Sequence, residues 1–213
     1  MIISYYGEDC FKIQSGEKSI LTDPPAASSG LTMPRFKADI ILKTIASFPV
    51  AEQLINQSIN QLIYGPGEYD IASIKISGIE LSEESSKEFF KTIYLIEAES
   101  IKLCFLGHIT QMPEPDILEQ LEEIDILFIP AGGKPFLEQK IAAKLIKQIE
   151  PKIVIPSFFK VPGLKRQAAD LKIFLEEANG QKKEPQEKSQ EKLTVKKKDL
   201  DEIKKTEIVA LKI

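Results

Sequence analysis

The chain has a single histidine, His108, and no tryptophan among its 213 residues. One imidazole is too few for an ordinary zinc site, which gathers several His, Cys or carboxylate ligands around one ion. Cysteine is scarce as well. Cys10 and Cys104 lie far apart and form no CxxC pair, so two buried reduced thiols in a cytoplasmic protein are expected instead of a disulfide framework. Long apolar runs are missing: none approaches the roughly 20 residues of a membrane-spanning helix. The start, Met1-Ile2-Ile3-Ser4-Tyr5-Tyr6, lacks the basic residues and long apolar core of a signal peptide. No membrane partner is therefore expected. Basic excess is also absent: the net charge is -4 and the pI near 5.3, which argues against a nucleic-acid partner. The run Lys196-Lys197-Lys198 is offset by Asp199, Asp201 and Glu202 and reads as a solvated strand end.

The composition, 43% hydrophobic and 28% charged, suits a globular chain with one core, and residues 1–213 are read as a single domain. The first half consists of short apolar or alternating runs at 2–6, 10–14 and 19–22. A continuous apolar run at 38–44 fits a fully buried strand. A short helix is predicted near 50–56, a strand at 61–64, and punctuation at Gly65-Pro66-Gly67. Residues 74–79 alternate at period two, and 91–97 with 101–106 read as an antiparallel pair. The second half changes rhythm. Helical patterns at 115–123, at 137–149 (Leu137, Ile141, Leu145, Ile149) and at 164–175 (Leu164, Ala168, Leu171, Leu175) separate buried strands at 125–129 and 152–156. Residues 181–192 carry no apolar side chain and read as a flexible charged internal loop. Runs at 193–196 and 206–213 then return to strand. Strand-rich segments followed by helix–strand units in each portion predict an α/β (α+β) chain, two packed sheets with helices outside.

Five segments in order carry a resemblance. Tyr5-Tyr6-Gly7-Glu8-Asp9-Cys10-Phe11-Lys12-Ile13 is similar to a W-x-G-H-S-x-F-x-I opening, and Ile20-Leu21-Thr22-Asp23-Pro24 to I-L-x-D-P. Gly65-Pro66-Gly67-Glu68-Tyr69 follows, then Leu103-Cys104-Phe105-Leu106-Gly107 with residues 124–133, then Pro151-Lys152-Ile153-Val154-Ile155-Pro156. Together they make the chain resemble the metallo-β-lactamase superfamily, particularly its ascorbate-lactonase-like branch. The resemblance implies a four-layer αββα sandwich. It also implies a hydrolase using zinc or manganese, with two ions about 3.5–4 Å apart generating hydroxide.

The ligand positions depart from the family pattern. Where the resemblance expects H-x-H-x-D-H, this chain has Ile45, Ser47, Pro49 and Val50. The early histidine position holds Glu8, the bridging aspartate position holds His108, and the late histidine position holds Phe158. No metal cofactor is therefore expected. The replacements Ile45, Phe48, Val50, Phe158 and Phe159 are apolar, as filling an emptied polar cage would require.

Glu8, Asp23, His108 and Phe158 are the candidate ligand-binding residues, with His108 the one catalytic candidate because its pKa lies near neutrality. Against this, His108 reads as a hydrogen-bonded strand-end side chain, and Glu8 and Asp9 as turn residues. Asp23 reads as orienting the loop at Pro24-Pro25. A carboxylate cluster of Glu8, Asp9, Asp23 and His108 would suit Mg²⁺ or Ca²⁺. Cys10 beside two acids makes a poor nucleophile, Cys104 belongs to the core, and Gly132-Gly133 reads as a tight loop exit. Three functions stay open. One is a non-catalytic module binding a small apolar ligand or a protein. The second is a metal-dependent hydrolase of lactones, esters or phosphodiesters, rebuilt around His108. The third is a structural subunit of a homo-oligomer.

Overall fold

The computed structural model describes residues 1–47, 61–179 and 190–213. The strands are Ile2–Tyr5 (β1), Phe11–Ser15 (β2), Lys18–Thr22 (β3), Ile40–Lys43 (β4), Ile45–Ser47 (β5), Gln61–Tyr64 (β6) and Gly67–Ile71 (β7). They continue with Ile74–Glu80 (β8), Phe89–Ala98 (β9), Ile101–Phe105 (β10), Ile126–Pro130 (β11), Ile153–Ser157 (β12), Lys192–Thr194 (β13) and Glu207–Ile208 (β14). The described α-helices are Pro115–Gln120 (α1), Gln139–Ile149 (α2), Leu171–Asn179 (α3) and Lys197–Asp201 (α4). One sheet runs β13-β1-β2-β3-β4-β6 and the other β14-β12-β11-β10-β9-β8-β7, with β5 pairing β9. This is the αββα sandwich expected from the sequence.

Sequence pattern explains the layers. In β1 and β2 burial alternates, so Ile3, Tyr5, Phe11 and Ile13 face the partner sheet while Lys12 and Gln14 look outward. The runs β11 and β12 are buried at every position and pair in parallel, as strands covered on both faces must be. Between the sheets Phe105 and Phe128 stack at 3.9 Å, and Phe11 meets the edge of Phe128 at 4.7 Å. All three rings are fully buried, each burial contributing on the order of 1.5–3 kcal/mol.

Several expected elements come out differently. The helix predicted over 164–175 begins only at Leu171. Pro162 and Gly163 (φ +85) open a loop instead, closed by Lys160 N–H donating to the Ala169 carbonyl. Leu164 still packs on the core, but from that loop, so its spacing mimicked a helix face. The strand predicted over 206–213 shrinks to β14, with a bridge from Gln190 to Leu211. Lys197, read as part of a solvated strand end, opens α4 and pairs with buried Asp125 at 2.8 Å. The expected helix at 50–56 and residues 181–189 of the charged loop lie outside the described residues, as do Phe48, Pro49 and Val50.

The chain crosses between sheets at Thr44. Residue 43 ends β4 of the first sheet and residue 45 starts β5, which pairs β9 of the second. Thr44 N–H is taken by the Asp23 carboxylate and its carbonyl by Thr92 N–H. Because the strands of both sheets end here, the loops after them converge on this corner.

Candidate functional site

Gly107 and Thr44 build the floor. Gly107 follows β10 with φ +60, and a Cβ there would lie 2.3 Å from Thr44 Cβ. Only glycine lets the two chains approach so closely, and the next residue, His108, is thereby delivered onto Thr44. Thr44 Oγ1 donates to Asp23 Oδ2 at 2.6 Å and stands 2.7 Å from His108 Nδ1. A hydroxyl has one proton. With that proton spent on Asp23, Thr44 must accept from His108, which assigns the proton to Nδ1 and leaves Nε2 with its lone pair. Burial holds the His108 pKa below its ordinary value, the charge of Asp23 pulling the other way. The ring is therefore neutral at pH 7. Lys43 Nζ lies 3.4 Å from Asp23 Oδ1, so Thr44 and Lys43 together engage both Asp23 oxygens.

Arg166 builds the wall. Its Nε and Nη2 donate to the two Glu8 oxygens at 3.1 and 2.7 Å, and Nη2 also reaches the Phe158 carbonyl at 2.7 Å. Such a fork is the strong form of carboxylate pairing. The guanidinium also lies 5.0 Å from the Phe136 ring centroid, a cation–π distance. Phe136 and Phe158 pack at 4.0 Å, and His108 meets both rings edge-on at 5.4 and 4.9 Å. Glu8, Asp23 and Phe158 all adopt positive φ, at 55°, 33° and 59°. Non-glycine residues rarely do so, and such strain gathers at functional corners.

All four sequence candidates thus meet in one cluster. Glu8 accepts Phe158 N–H at its carbonyl, Phe158 packs on His108, and His108 Nδ1 lies 3.9 Å from Asp23 Oδ2. Asp9 stands in the turn expected of it, but its side chain is fully buried, and no described residue gives either oxygen a well-formed hydrogen bond. Burial, then the charge of Asp23, raises its pKa well above the carboxylate range, with the neighbouring Ser157 hydroxyl opposing. Asp23 does not act through Pro24-Pro25 but turns to Thr44 and Lys43, whose N–H, O–H and ammonium donors a proline lacks. Cys10 and Cys104 are free and buried, and burial pushes both thiols up, away from nucleophilic use. Nothing in the sequence pattern points to Arg166 or Phe136, which stand in loops with no periodic run.

This donor set does not fit a metal cage. Among the described residues no three His, Cys, Asp or Glu side chains converge on one point. Glu8 is saturated by Arg166, Asp23 by Thr44 and Lys43, Ile45 is apolar and half-buried, and Ser47 is exposed.

A family model described as the β-lactamase superfamily domain matches residues 2–157. The chain belongs to that superfamily. A metal-dependent hydrolase of Thermococcus onnurineus is 26% identical over 192 residues, covering 74% of this chain and 84% of that one. One from Geobacillus sp. (strain WCH70) is 24% identical over 190 residues, covering 73% and 84%. Among solved structures, a metallo-β-lactamase superfamily protein of Thermotoga maritima superposes with a TM-score of 0.77 at 24% identity, covering all of both chains. A metallo hydrolase of Ignicoccus hospitalis reaches 0.64 at 17% identity, covering 84% and 91%. These structures share the fold. Arg166 lies beyond the stretch that the family model matches.

Proposed function

We propose that this superfamily member binds a ligand at the strand-end corner without a metal cage, with Arg166 and Lys43 neutralising Glu8 and Asp23 in its place. The observation that carries the reading is the Glu8–Arg166 fork, in which a guanidinium occupies the donor capacity of a carboxylate that a metal would need. Phe136, Phe158 and His108 give the corner an apolar wall, suited to the body of a small molecule. Buried free thiols fit the cytoplasmic setting expected from the sequence. The test is elemental analysis of protein purified without a polyhistidine tag and dialysed against zinc and then manganese. Metal far below one equivalent is expected. Stoichiometric metal that disappears in His108→Ala would overturn the reading.

A second reading has its own support and is the one favoured by the relatives, which are named metal-dependent hydrolases. In it the chain hydrolyses a lactone, ester or phosphodiester, with His108 as general base. The Asp23–Thr44–His108 chain of hydrogen bonds fixes the tautomer with Nε2 free to take a proton from water. It would steady the imidazolium that forms, as an acid behind a catalytic histidine does. No step is assigned to a metal, since the donors do not fit one. Hydrolysis of a chromogenic ester or phosphodiester falling by at least about 100-fold in His108→Gln would establish this reading. Equal rates in both proteins would remove it.

A further inference from the structure

Gly132 and Gly133, read from the sequence as a tight loop exit, line an open pocket of about 700 Å³ beyond the carboxyl ends of β11 and β12. Ligands of α/β sheets commonly sit at that end of the strands. Gly132 has a packing reason to be glycine, since a Cβ would lie 2.0 Å from the Phe158 carbonyl oxygen. That explains its side chain and leaves its backbone unexplained. The carbonyls of Gly132 and Gly133 accept from Ala169 and Phe136, but their N–H groups find no acceptor among the described residues. Both residues are buried, and buried N–H groups ordinarily have a partner.

The rest of the wall combines the apolar Leu164, Ala168, Ala169 and Ile173 with polar side chains that are all donors. Lys134, Lys160, Arg166, Gln139 and Gln167 line the pocket and no aspartate or glutamate does, in a chain whose net charge is -4. Arg166 is neutralised by Glu8. Lys160 pairs with no carboxylate among the described residues, and Lys134 has only the exposed Glu138 at 3.3 Å, a pairing of little worth in water. Two lysine charges and two backbone donors without acceptors match a dianion.

We infer that this pocket holds the phosphate of a small phosphorylated ligand. The adjoining hollow, about 760 Å³, shares Lys134, Arg166 and Gln167 and adds Phe136 and Thr110. Phe136 touches His108, so the organic part of the ligand extends to the corner described above. The inference rests on the binding reading and names the chemistry of its ligand.

Isothermal calorimetry with inorganic phosphate tests it, at constant ionic strength set with sodium chloride, on protein shown to be metal-free. Saturable binding is expected, weakened tenfold or more in Lys134→Gln/Lys160→Gln. It should be unchanged in Lys147→Gln, an exposed lysine at the far end of α2. No binding by phosphate, or equal affinity in the double variant, overturns the inference and leaves the metal-free reading standing. Stoichiometric zinc uptake overturns that reading, while the phosphate titration still decides the pocket.

Discussion

The space between the sheets and the corner at their strand ends are built on opposite principles. Between the sheets, Phe11, Phe105 and Phe128 are fully buried and contact one another, with stabilisation that grows with area and depends little on direction. At the corner, Glu8, Asp23, Thr44, His108 and Arg166 are held by directed bonds of 2.6 to 3.1 Å, nearly every lone pair and proton assigned. The first region tolerates exchange of one apolar group for another. The second fails when a single partner is lost, because an unpaired polar group keeps its desolvation cost.

The largest effect should come from the core. Phe128→Ala removes a ring stacked between the sheets and should destabilise by about 3–5 kcal/mol, read as the loss in urea unfolding. A loss under 1 kcal/mol would mean that the sheets do not pack as described. Next comes Arg166→Met, which keeps an unbranched apolar stem but strips Glu8 of its fork and Phe136 of its guanidinium. A loss of about 1.5–3 kcal/mol is expected, with much of it recovered in Arg166→Met/Glu8→Gln. Strict additivity of the two changes would show that the fork carries no coupling.

The smallest effect, and the one that separates the regions by pH, concerns Asp9. Its folded pKa is raised by burial and by Asp23, so the native state keeps a proton that the unfolded chain releases above about pH 4. Native stability therefore falls as pH rises from there towards the folded value. Asp9→Asn has no proton to lose, so its melting temperature should match the parent near pH 4 and exceed it at pH 8 by roughly 2–4 °C. An equal gap at both values would remove the buried acid from the account. His108 has the opposite sign: its lowered pKa costs stability as pH falls below about 6.5.

Legibility followed the same division. The fully apolar runs that became β4, β11 and β12, the alternation of β8 and the β9–β10 pair could be read directly, because burial on one or both faces imposes a period on the sequence. Leu164 misled for the converse reason, since an apolar residue packed from a loop gives the same spacing as a helix face. Glu8, Asp23, His108 and Phe158 were legible as positions through the resemblance, though not their partners. Arg166 lies 158 residues from Glu8 in sequence, and nothing local in the chain records such a pairing.

By itself the sequence determined the sandwich and the single imidazole, since those depend on residue type and period. Only the tertiary structure decided that Glu8 faces Arg166, that Thr44 accepts from His108 and so fixes its proton on Nδ1, and that Asp9 is interior. Each depends on where two distant strand ends come to rest, a property of packing and not of any local run of residues.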